Sequence, residues 1–196
     1  MDFLLDLLQG LGIAAAIGIR PFLPTLLAGA LAAGDVGLDY DRTDFSFLEQ
    51  PGFLLAIVVC VAVLGVVERR RAGELEGRGP VAALLIASTL VLAALQACGS
   101  IADRSADWWP GLIVGPAAAA LGYAAARSLF GRVRVRLDPE AASALPLYGE
   151  AAALLAAGLS ILFPPLAILI VAALAWLLLG GRRRAGEKYA GLRILR

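Results

Sequence analysis

Two arginines stand inside runs of apolar residues and have the most chemistry to offer. Arg20 interrupts the run 3–33 in the sequence Gly18-Ile19-Arg20-Pro21-Phe22-Leu23-Pro24-Thr25, and Arg127 interrupts the Ala/Gly-rich run 108–130. A guanidinium keeps its charge in such a setting, so each must meet an anion, a set of carbonyls or water. Next to Arg20, Pro21 and Pro24 lack backbone donors and disfavour helix in the residues before them, which frees carbonyls close by. Two readings follow for the segment Arg20, Pro21, Pro24 and Thr25. The planar fork of Arg20 can hold a carboxylate or phosphate, or it can form a structural ion pair or cap the carbonyls freed by the prolines. Glu150 lies near the start of a further apolar run, in Leu147-Tyr148-Gly149-Glu150. Its expected depth matches that of Arg127, so an Arg127–Glu150 ion pair is the economical expectation; a proton-titrating or cation-coordinating carboxylate is the alternative.

Much other chemistry is excluded. The chain has no histidine, which removes imidazole bases, histidine-ligated zinc and haem, and Ser/His/Asp or Cys/His arrangements. Cys60 and Cys98 sit in separate apolar runs without Cys-x-x-Cys spacing and read as small core residues. No nucleophile and base come together in the pattern, so the sequence predicts no enzyme, no cofactor and no metal site.

The elements that must position these residues are membrane helices. Of 196 residues, 60% are hydrophobic and 17% charged, and the mean hydropathy is +0.83. A soluble domain of this size buries only about 70% of its surface and has no place for that much apolar area. Soluble enzymes are therefore excluded, and with 17 basic against 16 acidic residues nothing in the charge attracts a nucleic acid. The start, Met1-Asp2-Phe3, lacks the basic segment of a secretory signal, so the first apolar run is expected to be retained.

Each crossing needs roughly 20 apolar residues. Polar and Pro/Gly breaks divide the chain into six such runs at about 3–33, 52–67, 80–102, 108–130, 145–163 and 164–181. The expected fold is an all-α integral membrane protein: a six-span helical bundle over 1–181 with a basic cytoplasmic tail at 182–196. Pro164-Pro165 separates the last two runs by a tight turn. A straight helix over 3–33 would measure about 46 Å at 1.5 Å per residue, so the first span must tilt steeply or break, and Ile19 to Leu23 is the expected break.

Thirteen basic residues fall on one side of this alternation: Arg69, Arg70, Arg71 and Arg78, then Arg132, Arg134 and Arg136, then Arg182, Arg183, Arg184, Lys188, Arg193 and Arg196. The other side has two, Arg42 and Arg104, among the acids Asp35, Asp39, Asp41, Asp44, Glu49, Asp103 and Asp107. Positive charge stays inside, so both termini are expected in the cytoplasm, with Trp108-Trp109 at the outer interface. Glu68 reads as a boundary residue, and Asp6 is expected to pair with an arginine near the cytoplasmic face.

Gly10, Gly12, Ala14 and Gly18, and later Gly111, Gly115, Ala118 and Gly122, mark faces for close helix approach, within the chain or between subunits. Gly12 to Phe22 and Ala119 to Phe130 echo one another, each an Ala/Gly-rich stretch ending in arginine and an aromatic. Three spans apart, they predict a 3+3 inverted-topology repeat.

The Gly-Ile-Arg-x-Phe-x-Pro core of Gly18 to Pro24, with Gly149-Glu150 and Phe163-Pro164-Pro165-Leu166-Ala167, resembles a family of bacterial membrane proteins catalogued as domain of unknown function 4126. The resemblance implies a small multi-span protein and supplies no reaction; the loop Asp35 to Gln50 and the arginine-rich tail match no pattern of that family.

The sequence thus predicts a transporter or channel-like protein of a bacterial plasma membrane for a small solute, an anion being the candidate that Arg20 suggests, with membrane lipids around it and a homo-oligomeric assembly to complete a pathway. The alternative is a non-transporting scaffold whose basic segments bind anionic lipid.

Overall fold

The computed structural model describes residues 2–76, 79–105 and 107–190, with side chains throughout these except at 2, 68–76, 139 and 181–190. Regular structure among the described residues is helical: α1 (Asp2–Ile19), α2 (Phe22–Ala32), a 3-10 turn (Ser46–Leu48), α3 (Pro51–Glu76), α4 (Pro80–Ala102), α5 (Gly111–Arg134), α6 (Pro139–Ser143), α7 (Leu145–Leu162) and α8 (Leu166–Ala190). The segments Pro80–Ala102, Gly111–Arg134 and Glu140–Leu162 are long and apolar enough to cross a membrane; Phe3–Ile19, Phe22–Ala32, Pro51–Val67 and Leu166–Gly180 are apolar but shorter.

Proline sets most of the boundaries. Gly79 is extended and Pro80 opens α4 at a position whose backbone donor would be unused anyway. Pro146 occupies the first turn of α7. Between α7 and α8 the chain turns at Phe163-Pro164-Pro165, closed by the Leu166 N–H donating to Phe163 O at 2.9 Å.

The first apolar run breaks within the expected window, at Arg20-Pro21, but it does not continue onward. α1 and α2 form a helical hairpin. Gln9 of α1 lies against Gly37 and Ile161, Arg20 lies against Glu150 at the start of α7, and α2 then returns until Gly29 meets Leu48. The turn is stabilised by the Thr25 hydroxyl, which donates to Pro21 O at 2.6 Å. Pro24 falls in the first turn of α2, where a missing N–H costs nothing. Hydropathy alone does not separate a straight 31-residue run from a hairpin of 18 and 11 residues; the arginine and prolines prefer the turn, where a charge and free carbonyls are cheapest.

This hairpin bears on two expectations. It divides the first expected span into two shorter apolar helices, so that the described residues hold three helices long enough to cross a membrane and four shorter apolar ones, and the start of α1 lies at the opposite end of the bundle from the end of α8. Asp6 accordingly meets Arg104, 3.3 Å away, beside the acidic loops, and not an arginine of the basic end. The echo is corrected as well. Gly10 and Gly111 both lie beside the end of α4 at Ala97 and Cys98, while Arg20 and Phe130 both flank Gly149, so α1 and α5 run in the same direction and their likeness is not an inverted pair.

α1 is the central post. Its residues Ile13 to Ile17 are fully buried, enclosed by α4, α5, α7 and α8. The small residues serve this packing within the chain. Gly12 faces Ser160 and Ala167, Gly18 faces the backbone of Ala119, and Gly122 faces Ala15. Nearer the start of α5, a Cβ at Gly111 would stand 2.6 Å from Cys98 N, and one at Gly115 would stand 2.5 Å from Ala93 O.

The bundle therefore has two chemically distinct ends. One carries Asp35 to Gln50, Asp103 to Pro110 and the α7–α8 turn; the other carries the Arg20-Pro21 turn and Arg132 to Ala144. Glu68, Arg69 to Arg71, Arg78 and the basic residues of 182–196, on which the orientation expectation leans, lie outside the described side chains; the backbone of α8 continues to Ala190.

Candidate functional site

At the basic end a cleft of about 670 Å³ opens between the α1–α2 turn, α3, α4, α5 and the start of α7. It exists because α5 changes partner along its length. Near the acidic end its glycines Gly111 and Gly115 press against α4, whereas Ala119 and Gly122 press against α1. Past that crossing, Leu85 and Thr89 of α4 and Tyr123, Ala126 and Arg127 of α5 face the cleft from opposite walls.

Three arginines line it: Arg20, Arg127 and Arg134. Arg127 and Arg134 lie seven residues apart, two turns along one face of α5, with Tyr123 one turn before them. Arg127 Nη1 donates to Tyr123 Oη at 2.7 Å, and its guanidinium carbon stands 5.9 Å from the Tyr123 ring centroid. This stacking holds the planar fork at the cleft edge.

Arg20 sits deeper, with 16% of its side chain exposed, and its Nε is 3.7 Å from Oε1 of Glu150. That is a charge contact longer than a hydrogen bond. Gly149 makes the approach feasible, since a Cβ there would stand 3.2 Å from both Arg20 Nε and the Phe130 ring. The two readings of Arg20 are thus joined: it faces a carboxylate on one side and a cleft on the other.

Of the residues that the sequence singled out, Arg20, Pro21 and Arg127 line the cleft, and Glu150 stands beside Arg20. Pro24 and Thr25 are fully buried behind the turn and serve its structure. For Glu150 the structure shows Arg20 as a neighbour, and for Arg127 it shows Tyr123. Arg134, Tyr123 and Phe130 were not singled out. The signal for Arg134 was its helical spacing from Arg127, hidden because Arg134 counted as a boundary charge.

The acidic end is built in the opposite way. Gln9, 3% exposed, donates from Nε2 to Gly37 O at 2.6 Å and to Ile161 O at 3.0 Å. Ser100 donates to Asp6 O at 3.0 Å, and the buried Tyr40 hydroxyl donates to Gln96 Oε1 at 2.7 Å. Gly37 has a φ of +74°, which lets its carbonyl meet Gln9 without a side chain against Ile161. The loop outside this layer is also tied down: Glu49 accepts from the Tyr40 N–H at 3.3 Å, and Trp108 stacks edge-on against Phe45 with centroids 5.5 Å apart. Burial raises the Tyr40 hydroxyl far above its usual range, raises Glu49 with help from nearby Asp41 and Asp39, and raises Asp103 against the opposing pull of Arg104.

No family model, curated protein or solved structure matches the chain. What the cleft does has to be argued from its own side chains.

Proposed function

We propose that this chain is a small multi-pass carrier of the bacterial plasma membrane that binds an anionic solute in the arginine-lined cleft, with that cleft facing the cytoplasm. The observation that carries the reading is the convergence of Arg20, from the α1–α2 turn, with Arg127 and Arg134, from α5, on one cleft of about 670 Å³, a volume in the range of ligand pockets. Arginine forks suit carboxylate and phosphate. Arg132 and Arg136 lie at the same end, which supports the cytoplasmic assignment by the positive-inside rule.

In this reading α1 to α5, α7 and α8 all cross or enter the membrane, α2 being a short return arm completed by the packed loop 33–50. The chain then starts outside and ends inside. The buried hydrogen-bonded layer of Gln9, Ser100, Tyr40 and Gln96 is the closed outer gate, and a transport cycle must open it. The scaffold reading keeps one supporting observation, the Arg20–Glu150 contact, which also serves as a structural lock.

The test is Arg20→Lys in purified, reconstituted protein. Lysine keeps the charge and loses the bidentate fork. The carrier reading expects normal folding with loss of carboxylate or phosphate flux and of ligand-induced thermal stabilisation. Unchanged behaviour of Arg20→Lys across both anion classes sinks it and leaves Arg20 as a lock. Reagent-accessible cysteines at residue 44 outside and residue 131 inside, in a chain without Cys60 and Cys98, check the orientation; the reverse pattern overturns it.

A further inference from the structure

Apart from its arginines, the cleft offers little to a polar solute. Leu64 of α3, Leu85 of α4, Ala126 of α5 and Leu145 of α7 form its walls; of the hydroxyls beside them, that of Thr89 donates to Leu85 O at 2.7 Å and that of Tyr123 accepts from Arg127. A small hydrophilic anion bound at the guanidiniums would leave this apolar wall facing water. Among its described lining residues three carry guanidiniums, and the Glu150 carboxylate stands beside the innermost of them. Arg127 and Arg134 are exposed at the mouth, while Leu64, Thr89 and Leu145 are buried in its depth. The charges therefore run from the exposed mouth at Arg134, through Arg127 two turns further in, to the half-buried Arg20, with the apolar wall beside them.

Resting on the proposed anion site, we infer that the ligand is an amphiphile, a phosphate carried on an apolar chain, with the phosphate at Arg20, Arg127 and Arg134 and the chain against Leu85 and Ala126. Phosphate suits the site better than carboxylate because three oxygens can each meet a separate fork, as three guanidiniums from a turn and a helix require. A headgroup at the ends of the helices and a chain extending into the apolar layer is also the geometry that a membrane lipid phosphate already has. The apolar wall then contributes affinity in proportion to the chain area that it covers.

The test uses the purified full chain in mild detergent, with thermal stabilisation followed by the fluorescence of its tryptophans. The probes are dioctanoyl phosphatidic acid, dioctanoyl phosphatidylcholine, octanoate and inorganic phosphate. The expected result is saturable stabilisation by phosphatidic acid at concentrations at least tenfold below those needed for inorganic phosphate or octanoate, with none from phosphatidylcholine. The exposed-site double variant Arg127→Gln/Arg134→Gln should weaken phosphatidic acid at least tenfold. Leu85→Gln should weaken phosphatidic acid and leave inorganic phosphate unchanged.

Equal, arginine-dependent potency of phosphatidic acid and inorganic phosphate overturns the amphiphile while leaving the anion site standing, and equal potency of octanoate overturns the choice of phosphate. Stabilisation by no anion, or by phosphatidic acid equally in the arginine variant, overturns both the amphiphile and the anion site. Arg20→Lys, which keeps the charge, guards against a variant that simply fails to fold.

Discussion

The two ends of this bundle use similar numbers of polar side chains to opposite effect. At the acidic end Gln9, Gln96, Ser100 and Tyr40 are buried and tied to one another or to backbone carbonyls, and the buried Asp6 meets Arg104. At the basic end Arg127 and Arg134 are exposed along the edge of a cleft. The difference follows from helix packing. Where α5 meets α4 through Gly111 and Gly115, backbones touch and polar side chains must pair or be lost. Where α5 leaves α4 for α1, a space opens and charges can stay wet. The position of small residues thus decides which end is sealed and which is hollow.

The largest effect should come from filling the contact that seals. Gly111→Leu should cost about 3 kcal/mol, the upper range for overpacking, because the new Cβ would press on the α4 backbone at Cys98. In contrast, Gly131→Ala at the cleft has open space around its Cβ and should gain about 0.5–1 kcal/mol from helix propensity. Equal melting temperatures for the two variants would erase the contrast.

Next in size is the hydrogen-bonded layer. Gln9→Leu leaves the buried Ile161 carbonyl and the part-buried Gly37 carbonyl without their donor and should cost about 1–3 kcal/mol. Tyr123→Phe removes a hydroxyl bonded at the edge of the cleft and should change stability by less than about 0.5 kcal/mol. Denaturation of both in one detergent compares the ends directly. A tolerant Gln9 and an intolerant Tyr123 would invert the picture.

A smaller effect is expected at Arg20 and Glu150. A double-mutant cycle with Arg20→Met and Glu150→Gln should give a coupling of about 1 kcal/mol, as suits a long, partly exposed charge contact. Strict additivity would mean that they do not act on each other, and the role of Arg20 would then lie in the cleft alone.

The smallest effect concerns pH. Burial raises Glu49 and Asp103 above the ordinary carboxylate range, so the folded state holds these protons where the unfolded chain releases them. Their stabilisation is complete below the unfolded value and is lost as pH rises through the raised one. The melting temperature should rise slightly from pH 7 to pH 5, and Glu49→Gln/Asp103→Asn should remove that rise. A fall in melting temperature over the same range contradicts the sign.

Much of this was legible in the residues. The helical class, the break at Arg20-Pro21, the turn at Pro164-Pro165 and the distinction of Arg20 and Arg127 follow from hydropathy, proline chemistry and the cost of buried charge. The return of α2 was not, because hydropathy has length but no direction. That one reversal misplaced Asp6 and the start of the chain, and it hid Arg20 from Glu150, since depth was counted along a straight crossing. The sealing layer was hidden for another reason. Gln9, Gln96 and Ser100 are visible as polar residues in apolar runs, but only packing tells which of them meet Gly37, Tyr40 and Asp6.

The contrast between an open basic end and a sealed acidic end is tested most directly by thiol accessibility in a chain carrying Cys60→Ala and Cys98→Ala. Single cysteines at Gly131 and Val135, both exposed, report the cleft, and those at Gln96 and Ser100 report the seal, each treated with a small water-soluble maleimide in detergent solution. Cleft positions should react at least about tenfold faster, because the sealed positions react only through local opening. Equal rates, or faster reaction at Ser100→Cys than at Gly131→Cys, would contradict the account.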